Sequence, residues 1–181
     1  MKVCIFCGAN SSLDSDVEVI AKKVMTFFGK NQIELIYGGA AIGVMGTLAT
    51  DLMLQGGRVT GVIPQLLMTK EVAHGGLTEL IVTKDMHERK QLMYKLSDAF
   101  LIFPGGMGTL DELFEIVTWR QIGIHGKPIA ILNINGYYDS LITFLDHAVV
   151  KGLIKQKDRD IIFSSPSWEE IWTHFSGFSH G

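Results

Sequence analysis

Long apolar stretches, basic runs and a second cysteine pair are absent from this sequence, and each absence removes a class of function. No run of about 18 apolar residues occurs, so no membrane span and no membrane partner are expected. Lysine and arginine (16) are fewer than aspartate and glutamate (19), giving a net charge of −3, and the cations are not clustered. A nucleic-acid partner is therefore not expected. The opening Val3-Cys4-Ile5-Phe6-Cys7 is too short for the apolar core of a signal peptide, which predicts a cytoplasmic protein. Only two cysteines are present, as Cys4-x-x-Cys7. They fall in a predicted strand, where residues three apart face opposite sides. They read as small core residues rather than a redox pair or half a metal site, so neither a metal nor a cofactor is expected.

Two glycine signatures are also missing. The turn Gly39-Ala40-Ala41-Ile42-Gly43-Val44-Met45-Gly46 lacks the G-x-G of a dinucleotide site. No acid follows about 20 residues on to hold a ribose. The P-loop pattern, with its lysine, does not occur either.

What is present is alternation. Apolar runs at 2–7, 33–37, 58–63, 80–83, 99–103, 128–132 and 160–163 read as strands, and helical periodicity fills the intervals between most of them. A weak pattern at 65–76 reads as a loop with a short helix. Ser165-Pro166-Ser167-Trp168-Glu169-Glu170 reads as the capped start of a last helix. Alternating elements with apolar strands predict an α/β, Rossmann-like doubly wound domain: a mostly parallel sheet of about seven strands with helices on both faces. At 181 residues, 47% of them hydrophobic, the chain fits a single domain over 1–181.

The stretch Pro104-Gly105-Gly106-Met107-Gly108-Thr109-Leu110-Asp111-Glu112 joins a predicted buried strand to a predicted helix. Glycines let the backbone approach a ligand, and the first N–H groups of a helix favour an anion, so this turn suits a phosphate. The plainer reading is a capping box, Thr109-x-x-Glu112, with the carboxylate serving backbone N–H groups. On a helical wheel Glu112, Glu115 and Trp119 lie opposite Leu110, Leu113, Phe114 and Val117. A tryptophan on that side suggests a face covered by a second subunit, hence a homodimer.

In the helix expected over 85–96, Arg89 falls among Met86, Leu92, Met93 and Leu96, with Lys90 at the edge of that face. Two readings are open. The arginine snorkels, its head in water, or its buried guanidinium finds a carboxylate or phosphate, with Glu112 a candidate partner.

These motifs carry a resemblance. Met86-His87-Glu88-Arg89-Lys90 and the Pro-Gly-Gly-x-Gly-Thr-x-x-Glu stretch resemble the signature of the Lonely Guy family of cytokinin riboside 5'-monophosphate phosphoribohydrolases, long labelled possible lysine decarboxylases. The similarity extends to Phe6-Cys7-Gly8, Tyr37-Gly38-Gly39, Gly43-Val44-Met45-Gly46, Thr118-Trp119, Gly123-Ile124-His125 and Gly136-Tyr137-Tyr138. Ala40, Ala9-Asn10 and Asp111 depart from the family pattern without removing a catalytic group. The resemblance implies hydrolysis of the N-glycosidic bond of a nucleoside 5'-monophosphate, an N6-modified AMP or AMP itself, to free base and ribose 5-phosphate. It implies Arg89 and Glu112 as catalytic residues. It places Glu71, Lys90, Gly105, Gly106, Met107, Gly108, Thr109, Asp111 and Thr118, with Gly39 and Met45, at the nucleotide. The alternative is a carrier of the same fold that binds a nucleotide or a molybdenum cofactor without cleaving it. A pyridoxal-phosphate decarboxylase rests on the old label alone.

Overall fold

Seven short strands, most of them apolar and buried on both faces, build one parallel sheet in a computed structural model that describes residues 1–8, 15–68 and 74–178. They are β1 (Lys2–Phe6), β2 (Glu34–Tyr37), β3 (Val59–Pro64), β4 (Glu79–Thr83), β5 (Ala99–Ile102), β6 (Ile129–Leu132) and β7 (Ile162–Ser165). Their spatial order is β4-β3-β2-β1-β5-β6-β7, with Val3 registered on Leu35 to one side and on Ala99 to the other. The chain steps outward from β1 to β4, then returns to lay β5 on the free side of β1. That reversal opens a crevice at the carboxyl ends of β1 and β5, where doubly wound sheets receive ligands.

Among the described residues, seven α-helices flank the sheet: α1 (Ser15–Lys30), α2 (Gly43–Leu54), α3 (Met86–Leu96), α4 (Met107–Gln121), α5 (Asp139–Val150), α6 (Gln156–Arg159) and α7 (Trp168–Ser176). The period-2 alternation of each strand divides the core in two. Val3 and Ile5 pack with α1, α2 and α7, while Cys4 and Phe6 pack with α3, α4 and α5. The cysteines follow the expected split, Cys4 in one layer and Cys7 in the other, and both thiols are free. Burial pushes both thiols up, and the charge of Glu112 adds to it. Ser167 caps α7 as the sequence predicts, its hydroxyl accepting from the Glu170 N–H at 3.3 Å. The short α6 was not anticipated, and β7 lies two residues later than expected. No helix among the described residues is long and apolar enough to cross a membrane.

Candidate active site

The loop after β5 is held by the strands around it. The Phe103 N–H donates to the Phe6 carbonyl at 2.9 Å, and the Gly8 N–H donates to the Pro104 carbonyl at 3.1 Å. These bonds bring the ends of β1 and β5 together at the crevice. A side chain at Gly105 would collide with Thr109 and sit 2.9 Å from the Gly8 nitrogen, so Gly105 is glycine because the chain packs on it. Gly106 and Gly108 differ: nothing lies within 4 Å of where their side chains would be. Their smallness leaves space over the start of α4.

Two expectations for α4 are corrected. The helix begins at Met107, with Gly106 as its extended N-cap (φ −94°, ψ −151°) and no side chain closing the first turn. Thr109 is therefore the third helical residue and Glu112 lies a turn deeper, so Thr109-x-x-Glu112 is not a capping box. The reciprocal cap occurs instead on α3. There the Glu88 N–H donates to Asp85 Oδ1 and the Lys84 N–H donates to Glu88 Oε2, each at 2.8 Å. Without a side-chain cap, the first N–H groups of α4 are available to an anion. The second correction concerns the wheel. The buried side of α4 is Thr109, Glu112, Leu113 and Ile116, and Phe114 is the exposed one. Glu112 thus points into the fold. Trp119 packs edge-on against Tyr94 of the same chain, with ring centroids 5.2 Å apart, so its position does not itself require a second subunit.

Arg89 meets Glu112 from α3. The arginine is 4% exposed and the glutamate 9%, so the guanidinium is buried with its stem and the snorkelling reading fails. Arg89 Nη2 lies 4.0 Å from Glu112 Oε1 and donates to the Gly38 carbonyl at 3.4 Å. The carboxylate distance exceeds the roughly 2.7–2.9 Å of a charge-assisted hydrogen bond. The two are an ion pair held apart by the scaffold. Arg89 Nε is buried with no hydrogen-bond partner among the described residues. Leaving that N–H unpaired in the interior carries a desolvation cost.

Gly38 is not among the residues that the resemblance places at the nucleotide. A side chain there would run into Arg89 Nη2 and lie 3.0 Å from the Met45 sulfur, so glycine at this position lets the guanidinium reach the end of β2. The Tyr37-Gly38-Gly39 motif was the available signal. Gly39 takes a left-handed conformation (φ +80°), and its carbonyl accepts from the His74 N–H at 3.0 Å.

The remaining expected residues divide. The Met45 sulfur and the Arg89 guanidinium both border Gly38. Lys90 Nζ is 2.6 Å from Asp111 Oδ2 and 3.4 Å from Glu115 Oε2, so Lys90 and Asp111 bind each other and pin α3 to α4. Burial works to lower the Lys90 pKa, but the two carboxylates outweigh it and hold the ammonium above its ordinary value. Met107 is almost wholly exposed at the mouth of the loop. Thr118 is not brought to the pair. Its hydroxyl donates to the Phe114 carbonyl at 2.7 Å, and it lines a separate cavity of about 320 Å³ with Phe114, Leu145 and Leu153. Glu71 lies outside the described residues.

The fold and site define a class: a Rossmann-like α/β domain with an anion-receptive glycine loop at its switch point and a buried arginine–glutamate pair beside it. Residues 45–175 match the family described as "Possible lysine decarboxylase". The chain is 43% identical over 170 residues to a cytokinin riboside 5'-monophosphate phosphoribohydrolase of Arabidopsis thaliana, covering 94% of this chain and 80% of that protein. A second phosphoribohydrolase of the same name from that plant is 43% identical over 171 residues, covering 94% and 79%. The chain belongs to this family, the Lonely Guy phosphoribohydrolases that its motifs resemble. The molybdenum cofactor carrier protein of Chlamydomonas reinhardtii shares the fold, with a TM-score of 0.70 at 16% identity over 97% of this chain and 94% of that one.

Proposed function

We propose that the protein hydrolyses the N-glycosidic bond of a nucleoside 5'-monophosphate, releasing a free adenine-type base and ribose 5-phosphate. The observation that carries this reading is the buried Arg89–Glu112 pair beside an uncapped helix start. The first N–H groups of α4, with the open space over Gly106 and Gly108, take the phosphate. Breaking the bond to the base leaves positive charge on the sugar, which a preorganised carboxylate stabilises. Glu112 is that carboxylate. The base leaves with the electron pair of the broken bond. Glu112 takes a proton from the water whose oxygen bonds to the sugar carbon and passes it on to the departing base nitrogen. Arg89 is permanently charged and is not the acid. It orients Glu112 and hydrogen-bonds the departing base.

The rival readings have less support. The carrier reading rests on a likeness of fold at 16% identity. A pyridoxal-phosphate decarboxylase needs a lysine amine free to form a Schiff base. Lys90 is held by Asp111 and Glu115, and Lys127, whose pKa burial lowers, donates to the Tyr94 carbonyl at 2.7 Å and lies over the Tyr94 ring. Incubation with AMP and with N6-isopentenyl-AMP, followed by chromatography, tests the hydrolase reading. Free base from at least one is the expected result, and no base from either contradicts it.

A homodimer through the outer face of α4 belongs to the same proposal. Phe114 and Leu153 are exposed where they line the Thr118 cavity, and Phe144 and Val150 are exposed on the neighbouring α5, apolar surface that a partner would cover. A second copy covering it would also give Thr118 a role that one chain does not supply. Light scattering should return twice the 20.0 kDa chain mass, and a monomer at micromolar concentration would contradict this interface.

A further inference from the structure

The Gly136-Tyr137-Tyr138 motif has no part in the chemistry described so far, yet both of its phenols reach the glycine loop. Tyr138 is buried, and its hydroxyl donates to the Phe103 carbonyl at 2.8 Å. Tyr137 is 55% exposed, so burial does not account for it, and its hydroxyl donates to the Gly105 carbonyl at 2.9 Å. With the Gly8 N–H on Pro104, three successive carbonyls of the loop, at 103, 104 and 105, are each held by a donor from elsewhere in the protein.

The turn that carries the tyrosines is itself fixed. Asn135 and Gly136 adopt positive φ (50° and 71°). The Tyr138 N–H donates to Asn133 Oδ1 at 2.8 Å, and Asn133 Nδ2 donates to Asp139 Oδ1 at 2.7 Å. The two rings meet edge to face at 4.8 Å.

A trans peptide points its C=O and its N–H in opposite directions. Holding the Gly105 carbonyl therefore fixes where the Gly106 N–H points, and holding the Pro104 carbonyl does the same for the Gly105 N–H. Among the described residues neither N–H has a hydrogen-bond partner. The Gly105–Gly106 peptide is flanked by glycines on both sides, so rotating it costs little backbone strain. Rotation would put a carbonyl oxygen where a phosphate needs a donor.

We propose that Tyr137 is a positioning residue: its hydroxyl locks the Gly105–Gly106 peptide so that the Gly106 N–H faces the substrate's phosphate. The proposal rests on the phosphate-anchoring reading of this loop. It concerns the phosphate alone, not bond cleavage, which sets the experiment. Tyr137→Phe removes one oxygen from a half-exposed ring and should fold as the wild type does. KM for the nucleotide should rise about fivefold to tenfold, the effect of one lost hydrogen bond, with kcat within about twofold. The dissociation constant of ribose 5-phosphate, measured by calorimetry, should weaken by the same factor. That of adenosine, which has no phosphate, should not move. Unchanged ribose 5-phosphate affinity in the variant would overturn the proposal, as would an equal loss for adenosine, the mark of a general structural effect. Wild type that fails to bind ribose 5-phosphate would overturn it too. Wild type that binds ribose 5-phosphate but releases no base would defeat the hydrolase reading alone, and calorimetry would still decide the role of Tyr137.

Discussion

Replacing Glu112 by glutamine should lower kcat by about 10³-fold while leaving the fold intact, the scale at which a preorganised group facing transition-state charge acts. The amide keeps the volume of the side chain and its place on the buried side of α4, so packing against Leu113 and Ile116 should survive. What it loses is the negative charge opposite the developing sugar cation and the ability to accept a proton. Circular dichroism should overlay on the wild type. The guanidinium of Arg89 keeps its bond to the Gly38 carbonyl but loses its counter-charge, which should cost about 1–3 kcal/mol in denaturant melts. KM should change far less than kcat if, as proposed, the backbone of the glycine loop binds the phosphate at the other end of the site. A variant that retains more than a tenth of wild-type turnover would show that Glu112 is not the reacting carboxylate.

Arg89→Met should show the largest stability loss of any single change at the site. It preserves length and apolar packing on α3 but strips the cation from a carboxylate that is 9% exposed. Removing one member of a buried pair costs about 3–5 kcal/mol, because the other charge remains in a poorly solvating place. Activity should fall with it, since the base loses its donor and Glu112 its orientation. The double variant Arg89→Met, Glu112→Leu separates these effects. With both charges gone it should be more stable than Arg89→Met alone and still inactive. Urea denaturation of the wild type, both single variants and the double variant closes the cycle. Additive losses would mean that the two side chains are not energetically coupled, and the 4.0 Å contact would then be incidental.

Much of this site was legible in the sequence because it violates local expectation. A charged residue centred on an apolar helical face, as Arg89 is, must either reach water or find a partner, and the structure gives it Glu112. The sheet was legible for the complementary reason. Strands such as Ala99–Ile102 and Ile129–Leu132 are buried on both faces and read as unbroken apolar runs.

The misreadings also have physical causes. Thr109-x-x-Glu112 spells a capping box, but Gly106 adopts the extended cap conformation three residues earlier, and letters alone do not say which residue starts the helix. The wheel misplaced Glu112 because α4 has apolar residues on two sides. Leu113 and Ile116 face the sheet, while Phe114 and Val117 face the cavity beside α5 and α6, so hydrophobicity did not mark one side as core. α6 spans only four residues, Gln156–Arg159, too few for a period to show. The carbonyl pins from Tyr137 and Tyr138 join segments more than 30 residues apart in sequence, and no local pattern encodes them.

The central claim is that the glycine loop holds a phosphate so that the Arg89–Glu112 pair acts on the sugar–base bond next to it. Its most direct test is to compare base release from N6-isopentenyl-AMP with release from the matching riboside, using wild-type protein and quantifying base and ribose 5-phosphate together. The account predicts equal amounts of the two products from the nucleotide and little or no base from the riboside. Equal cleavage of nucleotide and riboside, or no base from the nucleotide, would contradict it.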